Sequence, residues 1–489
     1  MPGLVAVIGE KGNTANLDPL VEKVKFRGVC REKNCDEECQ SMAVLNNVSL
    51  KYDEKSSTAL DGYIVFSESQ GAALQGSKAE SIFTDLLKKE GLSCFDTIEG
   101  EFALAYLRDD GSCLVARDPF GVKPLYYTIK DKTLYIAPEI KALVDLGSPV
   151  KEAPPGSYYE KGKGWIRYYS LPKVFKDNNL SLEEAEQKMR HLLWLAVEER
   201  INDVDINELG VYLSGGLDSS VVAALAAEMA SKPINTYTVG VEGSQDVKYA
   251  AIVAERIGSK PHVYTYSLDD MLEVLPSVIY HLESFDCAYV RSSIPNYIAA
   301  RFAAQDGRKV MLTGEGSDEI FAGYSYLKTL DSEAEITAEM QNFIDNLSRT
   351  GLQRVDRMNS AHGLDCRVPF LKPALLELVQ QFPLDWKLHD FDSDKDEPVD
   401  KWILRKAFEK ELGSKVAWRE KQQFDQGSGS SDMLTAVAEE AISDAEYEKE
   451  SAEAPVPVRN KEELYYYRIF RRNYPESVLP LVGRWTKTS

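Results

Sequence analysis

Residues 211–220, Val-Tyr-Leu-Ser-Gly-Gly-Leu-Asp-Ser-Ser, set a glycine pair, serine hydroxyls and one carboxylate between an apolar run and the helical pattern Val221 to Met229. This combination suits a pyrophosphate group. Glycines let backbone approach a phosphate closely, amides at a helix start carry partial positive charge, and the hydroxyls of Ser214, Ser219 and Ser220 can donate. Leu213, Ser214, Gly215, Gly216 and Ser219 are therefore assigned to a nucleotide, and Asp218 to a magnesium ion. The bland reading is a Ser/Gly-rich turn with no ligand. The segment lacks the Lys that ends a Walker A loop, so cleavage at the γ-phosphate is not expected. The loop would hold the β- and γ-phosphates while the α-phosphate is attacked. A second segment, Thr313-Gly-Glu-Gly-Ser-Asp-Glu319, also follows an apolar strand and offers Gly314, Glu315 and Asp318.

These loops need strands behind them. From Ser181 the pattern is helical, and Ser181 with Glu184 three residues later forms a capping box. Beyond it, strand-like runs at Leu209–Leu213, Thr236–Val241, His262–Tyr266 and Lys309–Thr313 alternate with helical stretches. Such alternation predicts a doubly wound parallel sheet whose ligands gather at the carboxyl ends of the strands. The remaining chain reads as a helical extension. Before about residue 170 the pattern is β-rich, with Asp110-Gly111 between two apolar runs signalling a hairpin. The shift at Pro154-Pro155-Gly156 marks the approach to a linker, giving two domains, 1–170 and 180–489.

A chain of 489 residues exceeds one ordinary core, in agreement with that division. Lys plus Arg total 57 against 78 Asp plus Glu, a formal charge of -21, which disfavours nucleic acid as partner. Small-molecule substrates fit better. No run of 18 apolar residues or signal-peptide pattern occurs, so a cytoplasmic protein without a membrane partner is expected. The odd total of 7 cysteines argues for reduced thiols. Cys30, Cys35 and Cys39 lie close together in a polar stretch, and two readings stay open: ordinary loop thiols, or a zinc or iron–sulfur site. The second needs a fourth ligand from Cys94, Cys113 or a non-cysteine group, because no His precedes His191.

Ser214–Ser219 and Thr313–Glu319, taken with Arg367-Val-Pro-Phe-Leu371 and Trp418-Arg-Glu-Lys-Gln-Gln-Phe424, resemble the synthetase domain of asparagine synthetases. Thr238–Asp246, Arg291-Ser292-Ser293 and Asn460–Arg468 extend the resemblance, which in order and spacing covers nearly the whole chain. It implies ATP-dependent activation of the aspartate side-chain carboxylate to an acyl-adenylate, with pyrophosphate released and ammonia as attacking group. Asp218 and Asp318 would share Mg2+, whose octahedral oxygen shell suits paired carboxylates and phosphates. Lys421 would sit against the α-phosphate and the reacting acyl oxygen. Val239 and Gly240 would present backbone to adenine. Glu315 would contact the amine or accept its proton, where related β-lactam and carbapenam synthetases place a Tyr; a Glu capping the helix near Ser317 is the competing reading. Asp365 and Arg367 would either help bind the amino acid or form an internal ion pair.

The N-terminal part resembles the N-terminal nucleophile hydrolase domain of the same enzymes, an α/β/β/α sandwich, and departs from it where glutamine is hydrolysed. Family members begin Met-Cys-Gly, and the exposed Cys attacks the glutamine amide. This chain begins Met1-Pro2-Gly3. The family's Asn-Gly-Glu appears as Asp61-Gly62-Tyr63, and its Gly-Ser-Asp as Gly76-Ser77-Lys78, which reverses a charge. Scaffold pieces such as Arg117–Tyr127 survive. The expectation is an AMP-forming amide ligase, fed by ammonia rather than by its own glutaminase, acting alone or as a homodimer. Two alternatives are carried: an adenylating ligase for another carboxylate and amine, including lactam formation, and a non-catalytic metal-binding or regulatory relative.

Overall fold

The computed structural model describes residues 3–9, 17–28, 30–35, 40–45, 50–53, 56–66, 73–108, 112–170, 180–390, 398–420 and 431–484. The first β-rich part contains β1 (Gly3–Ile8), β2 (Cys30–Cys35), β3 (Gln40–Leu45), β4 (Leu50–Asp53), β5 (Ser56–Phe66), β6 (Ala73–Gln75) and β7 (Ile98–Arg108). It continues with β8 (Cys113–Arg117), β9 (Tyr126–Lys130), β10 (Thr133–Ala137), β11 (Lys151–Glu152), β12 (Ser157–Glu160) and β13 (Gly164–Arg167). They make two sheets, ordered β11-β9-β10-β1-β3-β2 and β13-β12-β8-β7-β5-β4, with β6 on β5. β7 and β8 pair antiparallel as the hairpin signal implied; the turn at 109–111 lies outside the described residues.

Strand alternation explains the layers. Leu4, Ala6 and Ile8 of β1 point to the second sheet and meet Ala103, Ala105 and Val115. Val5 and Val7 point the other way, toward helix α1 (Asp18–Val24). The outer face of the second sheet is covered by α2 (Gly76–Glu90) through Ala79, Phe83, Leu86 and Leu87. This is the expected α/β/β/α sandwich. Cys30 and Cys35 stand at the two ends of β2, five strand rises or about 16 Å apart. Cys39 lies outside the described residues.

The second part opens with α3 (Leu182–Ile201), whose Ser181–Glu184 capping box is present in both directions. Then follow β14 (Leu209–Tyr212), α4 (Leu217–Met229), β15 (Asn235–Gly240), α5 (Gln245–Ile257), β16 (Lys260–Thr265), α6 (Leu268–Leu282), α7 (Cys287–Gln305), β17 (Val310–Leu312) and α8 (Ser317–Ile320). α9 (Glu333–Asn346), α10 (Gly351–Ser360), β18 (Asp365–Arg367), α11 (Pro373–Gln380) and α12 (Leu384–Lys387) come next. The short pair β19 (Leu388–His389) and β20 (Val399–Asp400) leads into α13 (Trp402–Leu412) and α14 (Ser414–Ala417). Helices over Ser431–Ala441, Asp444–Glu453 and Lys461–Phe470 form the extension.

The sheet β16-β15-β14-β17-β18 is parallel throughout. Leu209, Val211, Val310 and Leu312 pack on α3, α4, α5 and α13, while Tyr237, Met311 and Cys366 face α7 and α10. Helices thus cover both faces, the doubly wound arrangement.

The two parts are joined by burial and charge. Val5, Val7, Leu20 and Val24 share one core with Met271, Val274, Val278 and Ile294 of α6 and α7. Phe120 and Val122 enter the core around α3 and α4. Their loop is shaped by Asp118, whose carboxylate accepts from Phe120 N, Val122 N and Lys123 N at 3.1, 2.9 and 2.9 Å. Lys123 then reaches across to Asp365 at 2.6 Å, and the buried Arg27 bridges Glu139 and Asp356 at 2.5 Å each.

Candidate active site

The turn after β14 leads into α4, a helix that starts at Gly216 with no side-chain cap, so its first amides stay open toward the loop. Gly215 has φ +72°, and a Cβ there would lie 2.3 Å from Ala250 N. Only glycine lets the loop lie against α5. Ser214 N donates to Ser219 Oγ at 3.2 Å and Gly216 N to Ser214 Oγ at 3.3 Å. Ser220 is wholly buried and donates to Gly216 O at 2.6 Å, away from any ligand. Gly314 closes on this loop from β17: a Cβ on it would lie 2.7 Å from Ser219 N.

These loops face a cavity of about 600 Å³ lined by Leu213, Ser214, Gly216, Asp218, Ser219, Val239, Gly314, Glu315 and Asp318. Gly215 and Gly240 stand behind its wall; a Cβ on Gly240 would meet Ser244 at 2.9 Å. Ser317 Oγ donates to Asp218 Oδ1 at 2.7 Å. Asp218 and Asp318 are brought together by a residue the sequence did not single out. Lys401 Nζ lies 2.5 Å from Asp218 Oδ2 and also bonds Asp318 Oδ1.

Glu315 does not cap α8, whose N-cap is Gly316 without a side-chain bond. Its two oxygens accept from Arg354 Nη2 at 2.8 and 2.7 Å. A Cβ on Gly351, the first residue of α10, would come within 2.2 Å of Glu315 Oε1. Next to it Glu319 is buried, bonded by Tyr324 OH at 2.8 Å, and its pKa is pushed up to about 7 by burial and by the neighbouring Glu315 and Asp318.

Arg419 draws the Trp418 segment to the phosphate loop, donating to Gly215 O at 3.2 Å and to Asp246 at 2.7 Å, with its guanidinium 4.2 Å from the Tyr249 ring centre. Lys421 lies outside the described residues. Arg367 is not at the cavity: it is buried, paired with Asp365 at 2.9 Å, and donates to Arg200 O at 2.6 Å. Of the two readings of Asp365 and Arg367, the internal ion pair is the one that forms.

Where the family places its glutamine-holding Asn-Gly-Glu, Tyr63 is fully buried. Its OH donates to Glu101 at 3.0 Å, and the Arg367 guanidinium sits 4.9 Å from its ring centre. Lys78 is exposed. Among the described residues, no group of three or more His, Cys, Asp or Glu side chains is placed to hold a metal ion.

The asparagine synthase family model matches residues 188–335 and 328–478, so it spans the parallel sheet, the cavity loops and much of the helical extension. The chain belongs to the asparagine synthetase family. This makes it an ATP-dependent ligase that forms carbon–nitrogen bonds. A glutamine amidotransferase domain model matches residues 66–145 of the sandwich. The chain is 33% identical over 425 residues to asparagine synthetase B [glutamine-hydrolyzing] of Escherichia coli, covering 82% of this chain and 74% of that one. It is 32% identical over 431 residues to the probable asparagine synthetase of Dictyostelium discoideum, covering 82% and 77%. With the enzyme of Asparagus officinalis the identity is 30% over 515 residues, covering 98% and 86%. No described helix is long and apolar enough to cross a membrane.

Proposed function

We propose that the protein adenylates a carboxylate, in the first place the side chain of aspartate, and passes ammonia to it without hydrolysing glutamine itself. One observation carries this reading: the loops after β14 and β17 meet at a single cavity with Asp218, Asp318 and Glu315 in its wall. The relatives' names, all asparagine synthetases, support aspartate as the acid.

The open amides of α4 and the hydroxyls of Ser214 and Ser219 are suited to hold the β- and γ-phosphates of ATP. An oxygen of the bound carboxylate attacks the α-phosphorus, the bond to the β-phosphate oxygen breaks, and pyrophosphate leaves. Ammonia then attacks the acyl carbon and AMP departs. Glu315, held in place by Arg354, offers an oxygen to the incoming N–H groups. Asp218 and Asp318 fit Mg2+, since their oxygens already converge on one cation, the Lys401 ammonium. Bound there, Mg2+ would offset charge on the leaving pyrophosphate.

Loss of glutaminase is supported by Pro2 where family members have Cys, and by Tyr63 filling the interface. The test is to incubate the protein with ATP, Mg2+ and aspartate, with ammonium or amide-labelled glutamine, and to weigh the product. Asparagine should form with ammonium only. Label from glutamine in the product would overturn the reading. Asp218→Asn should abolish both pyrophosphate and AMP release.

A second reading is favoured by one feature of the cavity. Each of its described arginines is already held by a carboxylate: Arg291 by Glu462, Arg354 by Glu315, Arg405 by Asp400, Arg419 by Asp246, and Arg459 by Asp286 and Glu463. An acid lacking an α-carboxylate would suit that wall better than aspartate. Pyrophosphate release across acids with and without the α-carboxylate separates the two.

A further inference from the structure

We propose that Lys401 is a place-holder for the divalent cation, and that it makes metal binding conditional on nucleotide. The inference rests on the reading of Asp218 and Asp318 as the metal ligands. Lys401 Nζ is within hydrogen-bond reach of both carboxylates, 2.5 Å from Asp218 Oδ2. A dication bridging the same oxygens would need the same space, and two cations cannot share it.

The lysine is built into that place. It is 2% exposed and has φ +52° at the start of α13, a conformation that side-chain-bearing residues adopt at some cost. Gly323 leaves room for its stem: a Cβ there would come within 2.1 Å of both Lys401 Cε and Asp318 Oδ1. Side-chain volume at 323 and the backbone at 401 thus aim one ammonium at one pair of carboxylates.

If Lys401 gives way, it needs another anion. Of the four other carboxylates that line the cavity among the described residues, three are taken, Glu315 by Arg354, Asp246 by Arg419, and Asp400 by Arg405 and Lys328, which leaves the single carboxylate of Glu420. A buried ammonium left without a counter-charge is strongly disfavoured. The triphosphate of ATP supplies oxygens beside the loop, so Lys401 can move to it when metal and nucleotide arrive together. Metal alone brings Lys401 no new oxygens. The incomplete ligand set points the same way: among the described residues two carboxylates converge here, and a hard octahedral cation takes its remaining oxygens from phosphate and water. By linkage, nucleotide must tighten metal binding as much as metal tightens nucleotide.

The test titrates Mn2+, followed by its electron paramagnetic resonance signal, into wild type and Lys401→Met, with and without α,β-methylene ATP. Wild type should bind Mn2+ at least ten-fold more tightly with the analogue than without it. Lys401→Met should bind Mn2+ without nucleotide at least ten-fold more tightly than wild type, and respond less to the analogue. Equal wild-type affinity in both conditions overturns the inference, and this arm needs no variant. Failure of wild type to bind Mn2+ at the cavity even with the analogue overturns the metal reading itself.

Discussion

Glu315 owes its placement to Arg354, a residue 39 positions away that no local pattern marked. The pair is partly open to the cavity, 17 and 18% exposed, so its rupture should cost less than that of a fully buried pair. Arg354→Met leaves Glu315 without the group that positions it. Amide formation should fall by about 100-fold, equivalent to about 2.7 kcal/mol, while pyrophosphate release falls far less, because activation does not use Glu315. Parallel assays of pyrophosphate and amide on the same reaction check this, and equal losses in both would contradict the assigned role. The two cavity loops were legible in the sequence because each sits in a short strand–loop–helix segment. Lys401 and Arg354 were not, since their meaning depends on partners 183 and 39 residues away. Arg367 shows the converse: its motif was plain, but whether its guanidinium met a ligand or Asp365 was decided by burial.

At the level of elements, the phosphate loop depends on how closely it rests on α5. Gly215→Ala places a methyl 2.3 Å from Ala250 N in a left-handed backbone. Destabilisation of about 2 kcal/mol or more is expected, together with loss of nucleotide affinity as the loop lifts. Thermal unfolding and binding of an ATP analogue measure the two effects; a variant that binds nucleotide normally would refute the close-approach argument. The capping box of α3 was visible in advance because its bonds span three residues. Strands β14 to β17 were visible as apolar runs ahead of turns. The fifth strand, β18, escaped notice: it is three residues long and reads Asp-Cys-Arg, so its charges drew attention to chemistry instead of to its pairing with β17.

Across the whole molecule, the interface between the two parts carries a titration. Asp61 is fully buried, and its two oxygens find no hydrogen-bond partner among the described residues. Burial pushes its pKa up to about 7, against the pull of Lys123 and Arg27 and with the push of Asp356 and Asp365. A carboxyl raised in the folded state contributes stability that is complete below its unfolded pKa, about 4, and is lost as pH rises through 7. The urea midpoint of wild type should therefore fall between pH 5 and 8 more than that of Asp61→Asn, which stays neutral throughout. Parallel curves for the two proteins would refute the assignment.

The sandwich covers one outer face with α2, but on the other its described cover is the seven residues of α1 and the turns at residues 140–143, and it otherwise leans on α6 and α7. Severed between 170 and 180, it would present Val5, Val7 and their neighbours as a bare oily surface and should clump instead of staying in solution. The same contact seals the apolar side of α6 and α7, so each half serves as a wall for the other.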